Sequence, residues 1–173
     1  SFQRMSEQGV LTRLSRPWPQ GLQWQVVGTG QSASTGDFLT ALRSFKESKP
    51  NDYNTLMDRM SELATVVAEA EHGDWVGWTL RWCEFLEKLG NAIGASIMSE
   101  KHTYFRDIAL KNGLGYKPSG AGGGDAGFFV IPEQRSLDEV RTLLTSQNIH
   151  MLPISLAPQG VQVECLDSPE LQG

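Results

Sequence analysis

An α+β domain, an antiparallel sheet backed by helices, is predicted by the order of signals along the 173-residue chain. β-prone segments stand near both ends, and a helical block without strand patterns runs from Thr35 to Lys111. A glycine-rich loop then leads into the strand-like Phe128-Phe129-Val130-Ile131. A parallel doubly wound sheet would need strands between its helices, and none is visible there.

Val10 to Leu14 and Leu22 to Val27 read as two neighbouring strands, separated by the structure-breaking Arg16-Pro17-Trp18-Pro19-Gln20-Gly21. Ser34-Thr35-Gly36-Asp37 offers hydroxyls for a helix start, and Phe38, Leu39, Leu42 and Phe45 repeat at helical spacing, so the first helix runs from about Thr35 to Glu47. After the turn-like Lys49-Pro50-Asn51-Asp52, Tyr53, Leu56, Met57, Met60, Leu63, Ala64 and Val67 mark a second helix. Gly73-Asp74 introduces a third, whose apolar stripe of Trp75, Trp78, Trp82, Phe85, Leu86, Leu89 and Ile93 is read as core. Ser99 to Lys111 forms a fourth, with Phe105, Ile108 and Ala109 inward.

Tyr116 to Gly127 reads as a glycine-rich loop, and Ser136 as the cap of a short helix carrying Leu137, Val140, Leu143 and Leu144. Ile149 to Leu156 and Val161 to Val163 close the chain as β-prone pieces around the turn Ala157-Pro158-Gln159-Gly160. The chain is thus expected to be a single domain over 1–173, long enough to remove about two-thirds of its unfolded surface from water.

A hydrophobic fraction of 39% with five Trp and seven Phe excludes the composition of a disordered chain. No apolar run reaches the roughly 18 residues of a membrane span, and Ser1 to Gly9 lacks a signal-peptide pattern, so a cytoplasmic protein without membrane partners is expected. The net charge of -5 removes any general attraction to nucleic acid, so an anionic ligand needs a local site. Cys83 and Cys165 read as free thiols, and His72, His102 and His150 lack metal-ligand spacing, so no metal site is expected.

Two glycine patterns are set aside. Gly28-Thr29-Gly30-Gln31-Ser32-Ala33 satisfies a loose dinucleotide fingerprint, but further helices follow where that motif needs a second strand. Gly90 to Ser96 lacks the Lys-Ser/Thr ending of a phosphate loop and reads as a helix terminus. The run Lys117-Pro118-Ser119-Gly120-Ala121-Gly122-Gly123-Gly124-Asp125 is different: Pro118 stiffens its entry, opposite charges bracket it, and a strand follows at once. Its glycines allow positive φ and close approach to a phosphate or another backbone.

That run resembles the third motif of the GHMP kinases, and its Gly-Gly-Asp ending resembles the bacterial-type phosphomevalonate kinases in particular. Thr29 to Asp37 is similar to the segment of those enzymes that runs from a strand through Pro-Ala-Ser-Thr into a helix, with Gly28 replacing the usual tryptophan and Ser32 the usual proline. The resemblance extends over roughly residues 10 to 165 and corresponds to the family's C-terminal half. It implies transfer of the ATP γ-phosphoryl, with Mg²⁺, to 5-phosphomevalonate or, as the alternative, to mevalonate. The family's Pro-x-x-x-Gly-Leu-Gly-Ser-Ser phosphate loop is not present, and its catalytic aspartate and N-terminal lysine are expected upstream of Ser1. No catalytic residue is therefore assigned within the chain. The expected partner is an N-terminal half, docking on exposed apolar surface; a catalytically silent binding module is the alternative of another class.

The resemblance implies a nucleotide or phosphate loop of Ser119, Gly120, Ala121, Gly122, Gly123, Gly124 and Asp125, with backbone donors suited to phosphoryl transfer. It further implies substrate contacts at Lys117, Ser34, Thr35 and Ser99. Each has a plainer alternative. Ser119 and Asp125 can hold the loop to itself, Lys117 can be solvated, and Ser34 and Thr35 can start a helix.

Overall fold

The computed structural model describes residues 2–5, 11–14, 19, 22–32, 34–70, 72–120 and 122–155. Strands β1 (Phe2–Met5) and β2 (Leu11–Leu14) pair antiparallel, Phe2 opposite Leu14. Strand β3 (Gln23–Gly28) is followed by helices α1 (Thr35–Ser48), α2 (Pro50–Glu69), α3 (Trp75–Ile93) and α4 (Glu100–Lys111). Strands β4 (Gly115–Pro118) and β5 (Ala126–Ile131) and helix α5 (Leu137–Ser146) follow. The main sheet is antiparallel in the order β3-β5-β4, so the expected architecture of sheet and helices is present.

Several local expectations are corrected. The two early strands are not neighbours: β2 bonds to β1, whereas β3 bonds to β5, with Gln23 opposite Ile131. Lys49-Pro50-Asn51-Asp52 is not a separate turn, because Pro50 opens α2 at a position whose missing N–H is harmless. Lys49, at φ -139° and ψ 64°, alone separates α1 from α2. Tyr116 to Pro118 belongs to β4 rather than to the loop. Ile149 to Leu156 yields, among the described residues, a bridge at Met151 to Val27 rather than a strand. Its anchors are the Leu152 N–H to the Val26 carbonyl and the Gly28 N–H to the His150 carbonyl, both 2.9 Å. Val161 to Val163, the turn before them and Cys165 lie outside the described residues.

Local capping explains the helix boundaries. Ser34 accepts the Asp37 N–H at α1, and Asp74 accepts the Gly77 N–H at 2.8 Å at α3. α3 ends at Gly94, whose left-handed φ of 67° suits a residue without Cβ. Ser136 and Glu139 form a reciprocal capping box at α5.

Two apolar clusters hold these elements. Val27, Phe129 and Ile131 of the sheet pack with Phe105 of α4 and Val140 and Leu144 of α5. Phe45, Leu86, Leu89 and Ile97 join α1 and α3 to the connection before α4. Each fully buried side chain of this size contributes about 1.5–3 kcal/mol. The α3 stripe, read as core throughout, divides in space: Phe85, Leu86 and Leu89 are buried, but Trp75, Trp78 and Trp82 are half-buried beside α2.

Candidate functional site

The glycine loop is the tip of the β4–β5 hairpin, where Pro118 lies opposite Gly127. Gly120, Gly122 and Gly123 have φ of 62°, 77° and 78°, and Asp125 has φ 51°, so the chain turns through left-handed conformations. Gly122 also needs its hydrogen for space: a Cβ there would stand 2.7 Å from Ile97 Cγ2 and 2.8 Å from the Ile97 carbonyl oxygen.

Hydrogen bonds tie the loop to two other connections. The Gly123 N–H donates to the Ile97 carbonyl at 2.6 Å, fastening it to the segment between α3 and α4. The Asp125 N–H donates to the Gln31 carbonyl, and the Asp125 carbonyl accepts from the Thr29 N–H at 2.8 Å and the Thr29 hydroxyl at 3.1 Å. The Ser119 N–H donates to Ala126, and the Gly122 N–H to Ser119. Four loop amides are thus committed to carbonyls of the chain itself. The loop is a fixed wall, with Ser119, Gly120 and Asp125 exposed on it.

A buried pair that sequence reasoning did not single out supports this wall from below. His102 and Tyr116 are fully buried, with Nδ1 of His102 2.7 Å from the Tyr116 hydroxyl and Nε2 3.1 Å from the Gly124 carbonyl. A carbonyl only accepts, so Nε2 carries the hydrogen and Nδ1 accepts the phenolic O–H. Burial holds the imidazole below its ordinary pKa, against the opposing Gly124 hydrogen bond, and burial pushes the phenol up. Both groups are neutral donors and acceptors. Local pattern offers no signal for this contact except that Tyr116 directly precedes the loop and His102 shares a helix face with Phe105.

The remaining candidates divide between two places. Ser99, buried before α4, accepts the His102 N–H at 3.5 Å and so caps the helix that carries His102. Ser34 caps α1 and Thr35 is its first residue; both are exposed, shortly after the Thr29–Gln31 segment that binds Asp125. Ser99 and the glycine loop therefore meet the same connection, through His102 and Ile97. Lys117 goes elsewhere: its side chain borders a cleft between α2 and α3, and its ammonium stands 5.8 Å from the Trp82 ring centre and 5.6 Å from that of Phe128. It donates to the Pro118 carbonyl at 2.9 Å, and burial pulls it below the ordinary lysine pKa. Ala121 lies outside the described residues.

Residues 39–149 match the family described as "GHMP kinases C terminal". The chain belongs to this family. Within it, the chain is 28% identical over 164 residues to a phosphomevalonate kinase of Streptomyces sp. (strain CL190), covering 87% of this chain and 44% of that one. The GHMP fold is shared with the crystal structure of a Lin0012 protein from Listeria innocua, at a TM-score of 0.70 and 24% identity over 83% of this chain and 41% of that one. A crystal structure of L. major mevalonate kinase in complex with R-mevalonate aligns at a TM-score of 0.47 and 20% identity, over 75% of this chain and 41% of that one. The chain spans less than half the length of these GHMP relatives.

Among the described residues of this GHMP domain, no three His, Cys, Asp or Glu side chains gather as a metal site requires. No described helix is long and apolar enough to cross a membrane.

Proposed function

We propose that this domain is the C-terminal part of an ATP-dependent kinase that transfers the γ-phosphoryl of ATP to 5-phosphomevalonate, yielding 5-diphosphomevalonate and ADP in the cytoplasm. The observation that carries the reading is the 28% identity to a phosphomevalonate kinase along 87% of this chain. The loop that ends in Gly124-Asp125 adds to it.

In this reading the Pro-x-x-x-Gly-Leu-Gly-Ser-Ser loop that wraps the ATP phosphates and the catalytic aspartate come from outside these 173 residues, on the same polypeptide or another. This domain supplies position. Phosphoryl transfer depends mainly on alignment and on stabilising charge, so a loop fixed to Ile97, Gln31 and His102 is a suitable wall against which the reacting phosphates align. Ser119 offers a hydroxyl to a phosphate oxygen. Asp125 orients the acceptor but is not the base. The α1 N-terminus at Ser34 and Thr35 attracts the acceptor's phosphate through its dipole. Mg²⁺ arrives with ATP, and no step here runs through a metal ligand of this domain.

The test is ADP release from Mg-ATP by this chain, alone and mixed with the N-terminal part of a phosphomevalonate kinase, with phosphomevalonate and mevalonate offered separately. Turnover in the mixture with phosphomevalonate alone supports the proposal. Turnover with mevalonate instead reassigns the acceptor, and none with either leaves a silent binding module.

A further inference from the structure

The peptide unit that joins Gly124 to Asp125 is held at both of its polar ends. Its carbonyl accepts from Nε2 of His102 at 3.1 Å, and its N–H donates to the Gln31 carbonyl. A peptide is planar, so two bonds on opposite edges fix its rotation about the chain. The groups on either side are held as well, the Gly123 N–H by Ile97 and the Asp125 carbonyl by Thr29. Ile97 precedes α4 and His102 lies in its first turn, so one short stretch grips the loop at two consecutive residues.

The rotation matters because of the residue that follows. Asp125 is exposed and stands at φ 51°, a left-handed conformation that a residue with a Cβ keeps only under constraint. Half a turn of the Gly124–Asp125 peptide would carry that φ into the extended range, where any residue is at ease, and a glycine at 124 would accept the change. The two bonds oppose this relaxation. It would take the Asp125 N–H from Gln31 and leave the buried Nε2–H of His102 without a partner. The other ring nitrogen does a different job: Nδ1, 2.7 Å from the Tyr116 hydroxyl, fixes the ring to the core.

We infer that His102 is a positioning residue for phosphoryl transfer: its Nε2–H holds the Gly124–Asp125 peptide against rotation and so sets where the Asp125 carboxylate and the exposed face of the loop stand. The reaction served is that of the kinase reading, whereas the hold rests on the hydrogen bonds alone. Fully buried, His102 acts through the loop and touches no substrate. The bond from Tyr116 contributes stability and does not aim the loop.

Glutamine and asparagine separate the two nitrogens. His102→Gln reaches the Nε2 position with an amide N–H and gives up Tyr116, whereas His102→Asn reaches only the Nδ1 position and gives up Gly124. Amide hydrogen exchange of the 173-residue chain, followed by NMR, reads the hold. Relative to Phe129 in β5, exchange at Asp125 is expected to accelerate at least about tenfold in His102→Asn and to stay near wild type in His102→Gln and Tyr116→Phe. Turnover of phosphomevalonate, in the mixture with the N-terminal part, should follow the same order. In His102→Asn kcat falls about 10- to 100-fold with the acceptor KM unchanged, and the other two variants retain it.

Equal behaviour of the Asn and Gln variants overturns the inference, because a merely structural histidine loses one hydrogen bond in either. So does wild-type exchange at Asp125 in His102→Asn. Should His102→Asn not fold, the ring nitrogen chemical shifts of the wild-type chain decide: a hydrogen on Nε2 upholds the bond to Gly124, and one on Nδ1 overturns the inference. A wild-type mixture that turns over neither acceptor defeats the kinase reading, and the exchange rates then decide the hold by themselves.

Discussion

The phenol of Tyr116 and the imidazole of His102 share a 2.7 Å hydrogen bond directly beneath the glycine loop, and neither side chain has access to water. Removing the phenolic oxygen leaves Nδ1 buried without a donor. Tyr116→Phe is therefore expected to destabilise the domain by about 1–3 kcal/mol, the cost of an unsatisfied buried polar group. Urea unfolding measures this; an unchanged midpoint would mean that the pair contributes nothing.

The same pair gives stability a pH dependence. Burial lowers the His102 pKa from 6.5 in the folded chain, so between the two values the unfolded chain binds more protons than the folded one. This contribution is fully present above 6.5 and declines as pH falls through that value toward the folded one. Melting temperatures measured from pH 7.5 downward should decrease, and His102→Gln should flatten the decrease.

Two glycines of the loop separate conformation from contact. At Gly120 a Cβ would meet nothing within 4 Å, so Gly120→Ala carries only the left-handed backbone penalty of about 1–2 kcal/mol. Gly122→Ala adds the collision with Ile97 and is expected to cost about 2–4 kcal/mol. Equal losses in denaturant titrations would show that Ile97 yields easily.

Cys83 is buried, its thiol reaches the Tyr116 carbonyl at 3.0 Å, and burial pushes its pKa up to about 12. In a Cys165→Ser background, a thiol reagent at pH 8 should leave the native chain unmodified and react upon unfolding. Rapid native labelling would indicate that α3 opens away from β4.

What was legible in the sequence was local. Helix α3 begins after Gly73-Asp74 and ends within the run Gly90 to Ser96, as the sequence indicates, because a cap and a left-handed terminus are properties of a few adjacent residues. β4 was illegible for the opposite reason: a four-residue strand that opens on Gly115 and closes on Pro118 looks like loop until β5 lies beside it. The candidate site divides in the same way. The loop announced itself by composition, but the inward direction of its amides depends on Ile97 and Gln31, far away in the chain. His102 and Lys117 acquired their surroundings from packing between elements, which periodicity does not encode. The tryptophans of α3 fitted a core stripe because spacing identifies an apolar face without showing whether a neighbour covers it.

The position of β5 between β3 and β4 has a kinetic consequence. Gln23 finds its partner only when Ile131 has been synthesised, so all of α1 to α4 leaves the ribosome while β3 is still without β5. Helices assemble early from neighbouring contacts, whereas closure of the sheet pays the entropy of a long loop and comes late. A chain halted before Ala126 would hold its helices around a strand with open edges, the form most exposed to aggregation or to a chaperone.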